Sequence, residues 1–252
     1  MRLNLPPEVT LENYQAVYDY YQVHQQPRFK ALAAYAHLAR KYAPRVNLSK
    51  QTALDIKQIR DDNGSFLISV NHPTNHSDQF VLAGTAWRSP LRRNIGHMRV
   101  LGKDDLFIDK EQRKKVDMMG SIPVFRAKDH SLRAVSDAGK RMMDVCAERL
   151  FDGDDLAVFV QGEHESEHPE QIKKINSGIA HIALRALNLG TPLHMLSIGI
   201  AYDRPGDHPS VEHASVYINP PFQIDAANKP ATITREVRDD LQTAVTKAHE
   251  LY

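Results

Sequence analysis

The stretch Ser65-Phe66-Leu67-Ile68-Ser69-Val70-Asn71-His72-Pro73-Thr74-Asn75-His76-Ser77-Asp78 decides how this chain is read. Its first six residues make a short apolar strand, its middle is a polar loop, and a helical pattern begins near Ser77. Downstream the same rhythm returns. MRVLG (98–102), SIPVF (121–125), LAVFV (156–160), MLSIGIAY (195–202) and SVYI (215–218) read as further strands. Helical patterns occupy 131–150, 179–187 and 233–251. This alternation predicts an α/β fold with a mostly parallel central sheet flanked by helices. In such sheets, chemistry gathers in the loops after the carboxyl ends of the strands.

Upstream the pattern is helical. Tyr14, Val17, Tyr18 and Tyr21 fall at i, i+3, i+4 and i+7, an apolar stripe on one face. Pro27 breaks it, and Phe29, Leu32, Ala36 and Ala39 start a second helix that ends before Pro44. A third covers about 52–60. Residues 1–62 are therefore read as N-terminal helices packing on a main domain at 63–252. The tyrosine stripe suits packing better than a lipid interface, because flanking Lys and Arg are missing from it.

Composition narrows the function classes. With 32 Lys+Arg against 31 Asp+Glu in 252 residues, the net charge of +1 argues against a dedicated polyanion binder. A hydrophobic fraction of 42% excludes disorder. The single cysteine, Cys146, cannot form an internal disulfide, so a reducing, cytoplasmic location is expected, at most peripheral on the inner face of a membrane. The N-terminus, interrupted by Pro6, Pro7 and Glu8, does not read as a signal peptide. The longest stretch without charge, 186–202, is too short and too broken to span a bilayer.

The first strand-to-helix loop holds a His and an Asp within mutual reach. A carboxylate on one ring nitrogen leaves the other free to take a proton, the base half of a triad without its own nucleophile. The same residues also suit a turn in which Asn71 and Asp78 cap backbone groups. Three later segments join the argument: Gly120-Ser121-Ile122-Pro123-Val124-Phe125-Arg126, Phe159-Val160-Gln161-Gly162-Glu163-His164, and the Pro192-led strand.

In that order these blocks resemble the glycerolipid acyltransferase superfamily, whose best-known members acylate glycerol 3-phosphate and lysophosphatidate. The resemblance covers roughly 65–202, and Lys103, Gly153 and Gly178 add to it. It implies acyl transfer from an acyl thioester, acyl-CoA or acyl carrier protein, to a hydroxyl of a glycerol-phosphate-type lipid precursor. No further cofactor and no acyl-enzyme are implied. His72 would be the general base and Asp78 its orienting carboxylate. Arg126 would bind an acceptor phosphate, with Lys103, Gly120, Ser121, Gln161, Gly162, Glu163 and His164 also on the substrate side.

Two departures stand out. Five residues separate His72 from Asp78 where the family usually has four, a spacing similar to that of members with His-Pro here; if the extra residue disrupts the loop, His76 is the alternative base. The third block usually reads Phe-Pro-Glu-Gly-Thr-Arg, so Gln161 and His164 change the charge expected of the acceptor site.

Two further features compete for attention. His164-Glu165-Ser166-Glu167-His168 matches the H-E-x-x-H zinc hydrolase pattern, which needs both histidines on one helix face. A strand and a Gly turn precede it and Pro169 follows, so a solvated acidic loop is the preferred reading and a zinc hydrolase the alternative. A non-catalytic lipid-binding relative is the other. The basic set Arg88, Arg92, Arg93, Arg99, Lys103, Lys110, Arg113, Lys114 and Lys115 suits a solvated helix face. The alternative is contact with anionic lipid, coenzyme A phosphates or acidic carrier protein. No nucleic-acid motif accompanies it.

Overall fold

The computed structural model describes residues 6–74, 77–126, 130, 132–162, 167–202 and 213–252, apart from the side chains of Leu132 and Ala134. Among them are eight α-helices and one seven-stranded sheet. In chain order these are α1 (Tyr14–Val23), α2 (Arg28–Lys41), β1 (Arg45–Asn47), α3 (Lys50–Asp61), β2 (Ser65–Val70), α4 (Asp78–Arg88), β3 (Met98–Lys103) and α5 (Lys110–Met118). There follow β4 (Ser121–Val124), α6 (Leu132–Phe151), β5 (Asp155–Phe159), α7 (Gly178–Asn188), β6 (Leu193–Ala201), β7 (Ser215–Ile218) and α8 (Pro230–Glu250).

The sheet order is β1-β7-β6-β2-β5-β3-β4. Strands β2 to β6 run parallel, whereas β7 is antiparallel to β6 and β1 is parallel to β7. All six residues of β2 are buried, as expected for a central strand covered on both faces. Its side chains divide between two cores. Leu67 faces α1, α6, α7 and α8, while Phe66, Ile68 and Val70 face α2, α3 and α4. The two polar exceptions are satisfied: the Ser65 hydroxyl donates to the Leu150 carbonyl at 2.7 Å, and the Ser69 and Ser197 hydroxyls lie 2.8 Å apart.

The N-terminal residues take part in both layers. Val17, Tyr18 and Tyr21 are buried in the α6 core, so the tyrosine stripe packs inward. Tyr18 donates to the Pro123 carbonyl at 3.1 Å and Tyr21 to Asp117 at 2.7 Å. Helices α2 and α3 cover the opposite face, and Arg45–Asn47 supply the edge strand beside β7. No helix among the described residues is long and apolar enough to cross a membrane.

Candidate active site

Where β2 ends, the Asn71 side chain continues the ladder to β6. Its amide donates to the Ile200 carbonyl at 2.9 Å and its oxygen accepts from the Ile200 N–H at 2.8 Å. This clamps the start of the loop, and the next residue, His72, emerges above the carboxyl edge of the sheet. Its backbone N–H donates to Gln161 Oε1 at 2.8 Å, and its ring lies against Phe159 with centroids 4.7 Å apart. The imidazole side chain remains 19% exposed, enough for a ligand to reach it.

Asp78 begins α4, where the helix dipole favours a carboxylate. It is fully buried, and burial of a carboxylate requires that its oxygens be hydrogen-bonded. Four bonds do this. His72 Nδ1 lies 2.5 Å from Oδ2, which also accepts from the Thr74 N–H at 2.9 Å. The Thr74 hydroxyl reaches Oδ1 at 2.8 Å and the Tyr202 hydroxyl at 2.6 Å. Burial, and then the Asp78 charge, push the Tyr202 phenol far above its usual range, so it stays protonated and donates. With Nδ1–H directed at the carboxylate, Nε2 is the ring's proton acceptor. The arrangement is an oriented imidazole base.

Other sequence-predicted residues lie at varying distances from this pair. Arg126, half-buried just past β4, and Lys103, at the end of β3 and ion-paired with Asp105, share the carboxyl edge with His72. Because β5 and β3 separate β2 from β4, a ligand touching both His72 and Arg126 must cross the ends of those two strands. Gln161 meets the His72 backbone through its side-chain oxygen.

Gly120 and Ser121 lie elsewhere. Ser121 pairs with Val100, which pairs with Ala157, which pairs with Ile68, four residues before His72. Gly120 adopts φ +80°, and a Cβ there would collide with the Met98 carbonyl and the Gln26 amide. Gln26 bridges Met118 and Met98, so the space that a side chain at Gly120 would need is filled by the protein. Gly162, at φ +75°, is likewise backed by Asn176, whose N–H donates to the Val160 carbonyl at 2.7 Å.

His76, Glu163, His164, Glu165 and Ser166 lie outside the described residues. His168 is half-exposed beside Glu170. Cys146 is buried in α6 with its thiol pushed up by burial, which suits a core residue and not a nucleophile. No sequence motif marks Thr74 or Tyr202. Thr74 stands in the loop between His72 and Asp78, but Tyr202 is 124 residues from Asp78, and no spacing links them.

No curated protein matches the chain. The Acyltransferase family model matches residues 45–201, well over half of the 252. The match begins with β1 and ends with β6, and it takes in His72, Asp78, Arg126 and Gln161. The block order, the α/β sheet and this match agree: the chain belongs to the Acyltransferase family, that of glycerolipid acyltransferases such as 1-acylglycerol-3-phosphate acyltransferase.

Proposed function

We propose that this acyltransferase moves an acyl group from an acyl thioester, acyl-CoA or acyl carrier protein, to a hydroxyl of a glycerol-phosphate-type lipid precursor. The observation that carries the reading is the His72–Asp78 pair, 2.5 Å apart on a fully buried carboxylate. His72 Nε2 takes the acceptor hydroxyl proton as that oxygen attacks the thioester carbonyl. The C–S bond then breaks, and the departing thiolate receives the proton from the imidazolium. Asp78 orients His72 and stabilises the imidazolium. Arg126 holds the acceptor phosphate, for which a guanidinium fork is better shaped than an ammonium. Any contact with a membrane is peripheral, through exposed basic side chains.

The test follows free thiol release from acyl-CoA with phosphorylated and neutral alcohols as acceptors. His72→Ala and Asp78→Asn should each lower turnover by about 10²–10⁴-fold, the scale of lost general-base catalysis. Arg126→Ala should raise the KM for the phosphorylated acceptor roughly ten- to a hundredfold and spare the neutral one. Near-normal turnover in His72→Ala would sink the assignment of the base. An unchanged ratio between acceptors in Arg126→Ala would sink the phosphate reading alone.

A further inference from the structure

Beside the C-terminal half of α4 lies an open cavity of about 1020 Å³, at the upper end of the roughly 300–1,000 Å³ usual for small-molecule sites. Five of its twelve lining residues are cationic: Arg45, Lys57, Arg88, Arg92 and Arg93; none is Asp or Glu. That is a strong local departure in a chain of net charge +1. Like charges around one concavity repel each other, and its low-dielectric walls focus their field on whatever enters.

Two of the guanidiniums are already held in place. Arg88 donates through Nε and a terminal nitrogen to the Ala39 carbonyl, at 3.2 and 3.0 Å. Arg92 lies over the Trp87 ring, 5.2 Å from its centroid. Groups fixed before binding lose little freedom when a ligand arrives. Asp61 pairs with Arg93 at 3.2 Å, but both side chains are more than half exposed, so water screens the pair.

We infer that this groove is a binding site for a soluble anion of about nucleotide size that carries two or more phosphate groups. Arginine forks match phosphate oxygens, and a concave wall admits a ligand where a flat bilayer would touch only the rim. The site is separate from His72. Helix α4 runs from Asp78 at its first residue to Arg88 at its last, roughly 15 Å along its axis, and no lining residue belongs to the catalytic pair. The inference does not depend on the acyl-transfer reading, and its test uses no turnover.

Trp87 is the only tryptophan in the chain, so its fluorescence reports from inside the groove. Titrating the full chain with pyrophosphate should change the emission saturably, and added salt should weaken the affinity. Lys57→Glu, at an exposed position of α3, should weaken half-saturation about tenfold or more, and so should Arg93→Gln. Lys114→Glu, exposed on α5 and outside the groove, should leave it unchanged. Circular dichroism confirms folding of each variant. No saturable response to pyrophosphate would overturn the inference. Affinity in both groove variants equal to that of the unaltered chain would do the same, as would a response confined to vesicles of equimolar phosphatidylcholine and phosphatidic acid.

Discussion

His72 donates its backbone N–H to Gln161, whereas Asp78 accepts hydrogen bonds from His72, Thr74 and Tyr202, and the two kinds of support predict different phenotypes. Tyr202 donates to Asp78 at 2.6 Å from within the core. Tyr202→Phe removes one donor from a buried carboxylate, a loss of about 1.5–3 kcal/mol for a charged hydrogen bond. Asp78 then becomes the stronger acceptor from His72, which raises the imidazole's proton affinity. The expected result is a lower kcat, an unchanged acceptor KM, and an acid limb of kcat/KM displaced to higher pH. A KM effect with an unmoved pH profile would make Tyr202 a packing residue only. Gln161 supports His72 through its backbone N–H instead. Gln161→Glu keeps an acceptor oxygen there and should retain most of kcat, whereas Gln161→Ala leaves the N–H unpaired and should lose it. The reverse order, measured by thiol release, would return Gln161 to the acceptor site.

At the scale of elements, the strand-to-helix loops hold the chemistry, and the helix-to-strand corners hold the sheet together. The α5–β4 corner at Gly120 is such a corner. A side chain there meets both a left-handed backbone, at φ +80°, and the Met98 carbonyl of β3. Gly120→Ala should therefore destabilise the fold by about 1–3 kcal/mol, read from denaturant unfolding, with kcat per folded molecule nearly unchanged. A selective loss of acceptor binding would instead place Gly120 in the substrate site. Strand β1 and the bounds of helix α5 are not legible from apolar periodicity. Strand β1 is three residues, Arg-Val-Asn, too short to show an alternation, and it forms because β7 presents an open edge. Helix α5 buries no residue, so its KEQRKKVDM sequence shows charge and little apolar stripe; the Asp109 side chain caps it by accepting from the Gln112 N–H at 2.8 Å.

For the whole molecule, half-buried histidines set the expected response to acid. Burial is the largest cause lowering the pKa of His24, His194 and His249 from the ordinary 6.5. A lowered folded value means that below 6.5 the unfolded chain binds more protons than the native one. Stability then falls as pH drops through about 6.5, and the loss is complete below the folded values. Thermal midpoints should rise from pH 5 to pH 7, and His194→Gln should flatten that rise. A midpoint that increases on acidification across this window would contradict the burial of these rings. The charge balance of the whole chain also hides its basic groove, because Arg45, Lys57 and the 88–93 arginines come from four separate parts of the fold.

The sequence by itself determined the α/β class, six of the seven strands and the His72–Asp78 pairing as a candidate. These are legible because apolar runs, turn residues and a His and an Asp six positions apart are local signals that survive in one dimension. It also carried the family, through four blocks in a set order. Tertiary structure alone decided what surrounds the pair. Tyr202 reaches Asp78 because β6 lies beside β2, and Gln161 reaches His72 because β5 lies on its other side. It likewise set Gly120 and Ser121 apart from His72, since residues adjacent in a motif need not share one end of a sheet. Contacts between strands distant in sequence depend on sheet order and register, which hydrophobic periodicity does not encode.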